Sequence, residues 1–211
     1  MRGAIMTMPA LSSSVIIRNA QPSDEAAILD ICLRTAHRGQ DGSHCYSDPR
    51  LPGLVWALPY VRFCAKNAFV LTKDGAVMGY CVAAADTTTY EDWLEAEWWP
   101  HVQEELLDFS ARTPEDENVL SYIQSAPRTP SQVKDLYPAH LHINLLPEVQ
   151  NGGHGSTLLR HQLDALHRSG VEGVHLGVNQ HNEKVVGFYA KFGFVELDRT
   201  PSILMGKRLV R

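Results

Sequence analysis

The chain has 211 residues, 44% hydrophobic and 20% charged, the profile of an ordinary folded domain rather than a disordered or fibrous chain. A formal net charge of −5, with no cluster of Lys and Arg, argues against a nucleic-acid surface and mildly favours a cationic or amine ligand. No apolar run approaches about 18 residues, so no membrane-spanning helix is expected.

Residues 1–14 lack a long apolar core and a signal-cleavage pattern and are expected to be a disordered leader. Residues 15–211 then form a single domain. Val15–Asn19 is a β-rich run and the expected first strand. Pro22–Glu25 supplies helix-start residues, and an amphipathic helix follows to about Ala36. Gly39–Gly53 is rich in Gly, Asp, Ser and Pro and reads as a loop. Leu54–Asn67 reads as a second helix, bent or divided by Pro59. Ala68–Lys73 and Val77–Ala84, joined by Asp74-Gly75, carry the signal of a β-hairpin.

From Asp86 to Pro138 the pattern becomes irregular. Glu91–Phe109 reads as helical and contains Trp93, Trp98 and Trp99. Adjacent helical residues point about 100° apart, so Trp98 and Trp99 do not fit one narrow stripe. They pack this segment onto the sheet, or else wall a pocket or make a dimer contact. Arg112–Ser131 is polar and Pro-rich and is expected to be an exposed loop.

His140–Leu146 alternates. Leu141, Ile143 and Leu145 face one side; His140, His142 and Asn144 face the other. An interior strand carries polar side chains on a face that borders a cavity, so this face is expected to line a pocket. After Pro147 comes Gln150-Asn151-Gly152-Gly153-His154-Gly155-Ser156, then apolar residues at 158, 159, 163 and 166 with helical spacing. The glycines thus lie between a strand and the first turn of a helix. Free N–H groups there, with the positive end of the helix dipole, attract phosphate. The turn lacks the Lys-Ser/Thr of a P-loop and the spacing of a dinucleotide fingerprint. Gly170 stops that helix. Gly173–Val178 is the fifth strand, Asn182–Phe192 the last helix, and Phe194–Asp198 and Ser202–Leu209 two closing strands.

Gln150, Gly153 and Gly155 match Gln/Arg-x-x-Gly-x-Gly/Ala, and the run from Asn182 through Tyr189 to Gly193-Phe194 follows in the same order as a second signature. In both respects the chain resembles the GNAT N-acetyltransferase superfamily. His140–Pro147 is also similar to bacterial acetyltransferases related to the acetyltransferase-like domain attached to O-GlcNAcase. The resemblance implies an α/β GNAT fold: a mixed central sheet flanked by helices, here with a helical and loop insertion at about 86–138 between strands three and four. It implies acetyl-CoA as cosubstrate, bound at Gln150, Asn151, Gly152, Gly153, His154, Gly155 and Ser156. It also implies a splay between strands four and five that admits the pantetheine arm.

The resemblance further implies that backbone amides near Leu145 and Leu146 polarise the thioester carbonyl, that Asn182 holds the pantetheine, and that Tyr189 protonates the departing thiolate. Asn182 and Tyr189 are seven residues apart, two helical turns on one face. The amine's proton goes to His142, His140 or a water relay. Asn144 stands where related proteins often carry an acid, which counts against a general base at that position. By family position His44, Tyr46 and Asp48 border the acceptor site. The expected function is N-acetylation of a primary amine, small molecule or peptide, by direct attack in a ternary complex. The alternatives are a CoA-binding sensor without turnover and a GNAT-like interaction module. Neither nucleic acid nor membrane is an expected partner; a homodimer is allowed.

Cys32, Cys45, Cys64 and Cys81 show no Cys-x-x-Cys spacing and are expected to be free thiols in a reducing, cytoplasmic compartment. The ten histidines are scattered, without His-Glu-x-x-His, and no metal site is expected.

Overall fold

The structure is a computed structural model that describes residues 14–209; apart from Ser14, the expected leader lies outside the described residues. Seven strands form one mixed sheet in the order β1-β2-β3-β4-β5-β7-β6. They are β1 Val15–Asn19, β2 Ala68–Lys73, β3 Ala76–Ala84, β4 Ala139–Leu145, β5 Gly173–Val178, β6 Val195–Asp198 and β7 Ile203–Arg208. The β2–β3 hairpin turns through Asp74 (φ 52°) and Gly75 (φ 86°). Two consecutive positive φ angles match the right-handed twist of the strands, which is why the Asp-Gly pair reads so clearly.

Among the described residues only β4 and β5 pair in parallel, and they pair briefly: Ala139 with Val174 and His140 with His175. Beyond His140 the two strands part, while β4 stays paired with β3 up to Leu145. This is the expected splay.

Two apolar clusters cover the two faces. One holds α1 Glu25–Leu33, α2 Leu51–Trp56, α3 Leu58–Phe63 and the insertion. The other holds α8 His154–Arg168 and α9 Glu183–Ala190. The insertion comprises α4 Thr87–Trp93, a π-helical stretch Leu94–Trp98, α5 Trp99–Glu105, α6 Pro114–Gln124 and α7 Ser131–Leu136.

Several expectations are corrected. Helix α1 ends at Leu33, not near Ala36, as the backbone bonds tighten to three-residue turns, Thr35 N to Cys32 O (3.3 Å) and Ala36 N to Leu33 O (3.1 Å). The second helix begins at Leu51, inside the expected loop, and breaks at Ala57 (φ −136°). Pro59 lacks an N–H and its ring crowds the preceding turn, so it sits at the second position of α3. The first insertion helix starts at Thr87, where the Asp86 side chain accepts from Thr89 N (2.8 Å), and α5 ends at Glu105.

The expected loop at Arg112–Ser131 is largely helix. Thr113 and Asp116 form a capping box, and Val119 and Ile123 are buried. Asp116 is fully buried and accepts from Ser47 N (3.0 Å), Ser47 Oγ (2.7 Å) and Arg112 N (2.9 Å), which ties α6 to the loop before α2. Burial alone would raise the Asp116 pKa; these hydrogen bonds outweigh it and leave the carboxyl below its usual value.

Trp98 and Trp99 are both buried, at 7% and 5% exposure. They point different ways and are covered from different sides. Trp98 Nε1 donates to Leu54 O (2.9 Å), while Trp99 meets Tyr122 edge-on at 6.2 Å. The tryptophans therefore join the insertion to α2 and, within the insertion, hold α5 against α6.

Candidate active site

One half of the site lies where β4 ends and α8 begins. Asn151 (φ 63°) and Gly153 (φ 77°) turn the backbone, and Gly153 is the N-cap of α8. The first helical bond runs from Thr157 N to Gly153 O (3.0 Å), so the N–H groups of His154, Gly155 and Ser156 have no acceptor within the helix. A glycine cap brings no side chain to occupy them, and the turn before it is exposed. These residues fit a pyrophosphate group. Gln150 takes another role: its Nε2 donates to Leu145 O (2.8 Å) and braces the turn against β4.

A Cβ on Gly155 would lie 3.7 Å from Leu145 Cδ1 and 3.9 Å from Phe188 Cζ. The start of α8, the end of β4 and helix α9 thus converge. Asn182 caps α9 without its side chain binding the helix, and that amide lies beside Gly39 of the loop after α1. Tyr189 is 94% buried among the α8–α9 apolar residues, with Phe194 at 5.5 Å. Burial, then nearby Cys81, pushes its phenol pKa further up.

The amides near Leu145 and Leu146 are not equivalent. Leu146 N donates to Met78 O (2.9 Å) of β3. Backbone groups alternate sides along a strand, so Leu145 N points the opposite way, into the splay. The geometry leaves Leu145, not Leu146, as a donor there.

The other half lies on the opposite face. A cleft of about 530 Å³ is walled by Trp56, Tyr60, Tyr90, Trp99 and Tyr122 and floored by His140, His142 and His175. It also reaches Leu141, Leu176 and Val178, so it enters the splay. Thr87 Oγ1 donates to Pro138 O (2.7 Å) and therefore accepts from His140 Nδ1 (2.8 Å). That fixes the lone pair of His140 on Nε2. Burial, then the neighbouring His175, lowers the His142 pKa to about 4; burial also holds His140 and His175 low. Asn144, beside Tyr80 on the neighbouring strand, donates its Nδ2 to Tyr80 OH (2.8 Å).

A sequence model of the acetyltransferase (GNAT) family matches residues 84–194, a span that contains β4, the glycine turn and α9. The chain belongs to the acetyltransferase (GNAT) family. Among solved structures, this GNAT protein superposes on the crystal structure of SsHAT with a TM-score of 0.84 and 34% identity, over 94% of this chain and 100% of that one. The structure of yncA from Salmonella typhimurium, solved with its cofactor acetyl-CoA, is 17% identical with a TM-score of 0.56 over 93% and 95% of the chains and shares the fold. Protein O-GlcNAcase of Rattus norvegicus is 23% identical over 184 residues; these are 86% of this chain but only 20% of that protein.

Three functional candidates named by family position leave the site. His44 packs on His37, Tyr46 joins the α1–α2 core and Asp48 pairs with Arg50 (2.7 Å), so none lines the cleft. The cleft also holds a residue outside the set expected from the sequence. His175 stands opposite His140 on β5, and its Nδ1 binds Tyr137 O (2.8 Å). The signal was present: along Gly173–Val178 the valines and Leu176 alternate with His175 and Gly177. Among the described residues no helix is long and apolar enough to cross a membrane.

Proposed function

We propose that residues 15–211 act as one cytoplasmic domain that moves the acetyl group of acetyl-CoA to a primary amine by direct attack. The observation that carries this reading is the splay between β4 and β5, with a phosphate-type helix start on one face and a histidine-floored cleft on the other. The first-turn amides of α8 hold the pyrophosphate, with Gln150, Asn151 and Gly152 shaping the turn, and Asn182 holds the pantetheine. The amine enters from the aromatic side. The cleft lining carries three carboxylates, Glu91, Glu95 and Asp198, against one guanidinium, Arg128, which favours a cationic acceptor.

The amine nitrogen attacks the thioester carbonyl carbon, and Leu145 N–H stabilises the charge that develops on oxygen. The C–S bond breaks and the thiolate takes a proton from Tyr189. The proton lost by the amine passes to His142 or His140 through water. These imidazoles are neutral and able to accept, but His142, held near 4, is a weak base, so relay suits it better than storage of the proton. The Glu91 carboxylate is already taken up as an acceptor from Lys134 Nζ (2.9 Å) and Thr129 N (2.8 Å).

A CoA-binding sensor is the second reading, favoured by Asn144 standing bound to Tyr80 where an acid would serve. The deciding experiment is a thermal-shift screen of amines with acetyl-CoA present, followed by mass spectrometry for one added acetyl group on each hit. Acetyl-CoA binding with no acetylated product across small amines, amino sugars and peptides would select the sensor. Absence of acetyl-CoA binding would defeat both.

A further inference from the structure

Outside the cleft, the described residues include a cluster of chemistry-bearing side chains that the proposed reaction does not use. It lies in the loop between α1 and α2. Cys45 Sγ is 3.4 Å from His37 Nδ1 and 3.4 Å from His44 Nε2, and the three donor atoms lie within 4.8 Å of one another. The two imidazoles meet edge to face, with centroids 5.3 Å apart.

We infer that His37, His44 and Cys45 form a binding site for one soft divalent transition metal, and that zinc is the metal their donors suit. Zinc takes thiolate at about 2.3 Å and imidazole at about 2.0–2.1 Å, so a tetrahedral ion needs sulfur and nitrogen about 3.5 Å apart. The observed separations already approach that value. A mixed sulfur and nitrogen set also disfavours calcium and magnesium, which select oxygen.

The loop is shaped in advance. His37 N and Gln40 O, and Gln40 N and His37 O, bond at 3.0 Å each, with Arg38 (φ 57°) and Gly39 (φ 83°) making the turn. Gly42 N donates to Leu33 O (3.0 Å), and a Cβ on Gly42 would come within 2.9 Å of Ala36 Cβ. Asp41 Oδ1 accepts from Ser43 N (2.9 Å) and Ser43 Oγ (2.6 Å), setting the direction in which His44 leaves. Cys45 is buried and the two histidines are exposed, so the ion sits at the surface with its fourth position open to water. Binding releases the Cys45 thiol proton to solvent and leaves a thiolate on the metal.

None of the three ligands lines the cleft, so the ion does not touch the amine. Its effect is on the loop, which runs from Gly39, beside the Asn182 amide, to Ser47, held by Asp116. The ion clips that segment. No fixed spacing of helix or hairpin relates His37 to His44-Cys45, which is why the sequence pattern alone gave no metal.

The test uses untagged protein stripped with a chelator, and cobalt(II) and zinc salts alone as probes. Cobalt should bind one ion per chain and show a thiolate-to-metal charge-transfer band, and zinc should displace it. Cys45→Ser should lose that band. His37→Gln and His44→Gln lie on the surface and keep the fold by circular dichroism; each should weaken zinc binding by more than about tenfold, whereas His101→Gln, on α5, should not. Zinc bound with less than millimolar affinity, cobalt without the thiolate band, or wild-type affinity in either histidine variant would each overturn the site. In that case the cluster is a thiol hydrogen-bonded between two imidazoles.

Discussion

Three imidazoles in one cleft make a residue-scale test. His140, His142 and His175 all have pKa values below the ordinary histidine range, mainly through burial. The unfolded chain therefore takes up protons near pH 6.5 that the folded chain refuses. Stability from these groups is fully present above about 6.5 and is lost as pH falls toward 4. For His142 alone the loss should reach about 1–3 kcal/mol, the upper end being its whole shift. Urea titrations at pH 7 and pH 4.5 check this; His142→Asn should reduce the difference by about that amount and leave the share of His140 and His175. Tyr189 offers a second test at this scale. Burial keeps its phenol protonated across the physiological range, as a proton donor requires. Tyr189→Phe preserves the ring packed on Phe194, so acetyl-CoA affinity should hardly change. The rate constant kcat should fall by about 10²–10⁴-fold where chemistry limits turnover. An unchanged rate under that condition makes Tyr189 a packing residue.

Helix α8 and the turn before it set the next scale. The N–H groups of His154, Gly155 and Ser156 form a cradle only while the first turn stays bare. Gly155 has a normal φ and a Cβ there would make only ordinary contacts, so the fold tolerates a side chain. Gly155→Glu should therefore melt close to wild type yet lose acetyl-CoA binding, which we expect to be micromolar, about 8 kcal/mol, in the parent protein. Calorimetry showing unchanged affinity in that folded variant would remove the turn from the cofactor site. Helix α6 teaches a different lesson. Its start, Thr113-Pro114 with Asp116, was legible as a capping box, and Val119 and Ile123 have helical spacing. Its polar surface masked both signals, and only the docking of Tyr122 against Trp56 and Trp99 makes a polar helix part of the cleft wall.

Over the whole molecule, the two halves of the site lie on opposite faces of one sheet and meet at the β4–β5 splay. Direct transfer through that gap needs no covalent enzyme intermediate. No cysteine lines the cleft, and Cys81, buried on β3 in the apolar cluster of the α8–α9 face, has its thiol pKa pushed far up by desolvation. Acetyl-CoA incubated with the protein alone should leave the intact mass unchanged. Initial-rate patterns with an identified amine should be sequential. An acetylated protein that passes its acetyl group to amine would defeat direct transfer.

The order of the strands and of the helices outside the insertion, the Asp-Gly hairpin, the glycine turn and the polar face of β4 were all determined by the sequence itself. Each rests on local rules: alternation, helical spacing, and the few residues that accept positive φ. The tertiary structure alone decided which backbone amide faces the splay, because that depends on Leu146 being paired to Met78 on a strand far away in sequence. It alone placed His175 against His140, bound Asn144 to Tyr80, and gathered His37, His44 and Cys45. In those cases the partners are set by long-range strand pairing or by an irregular loop, and neither leaves a period in the chain to read.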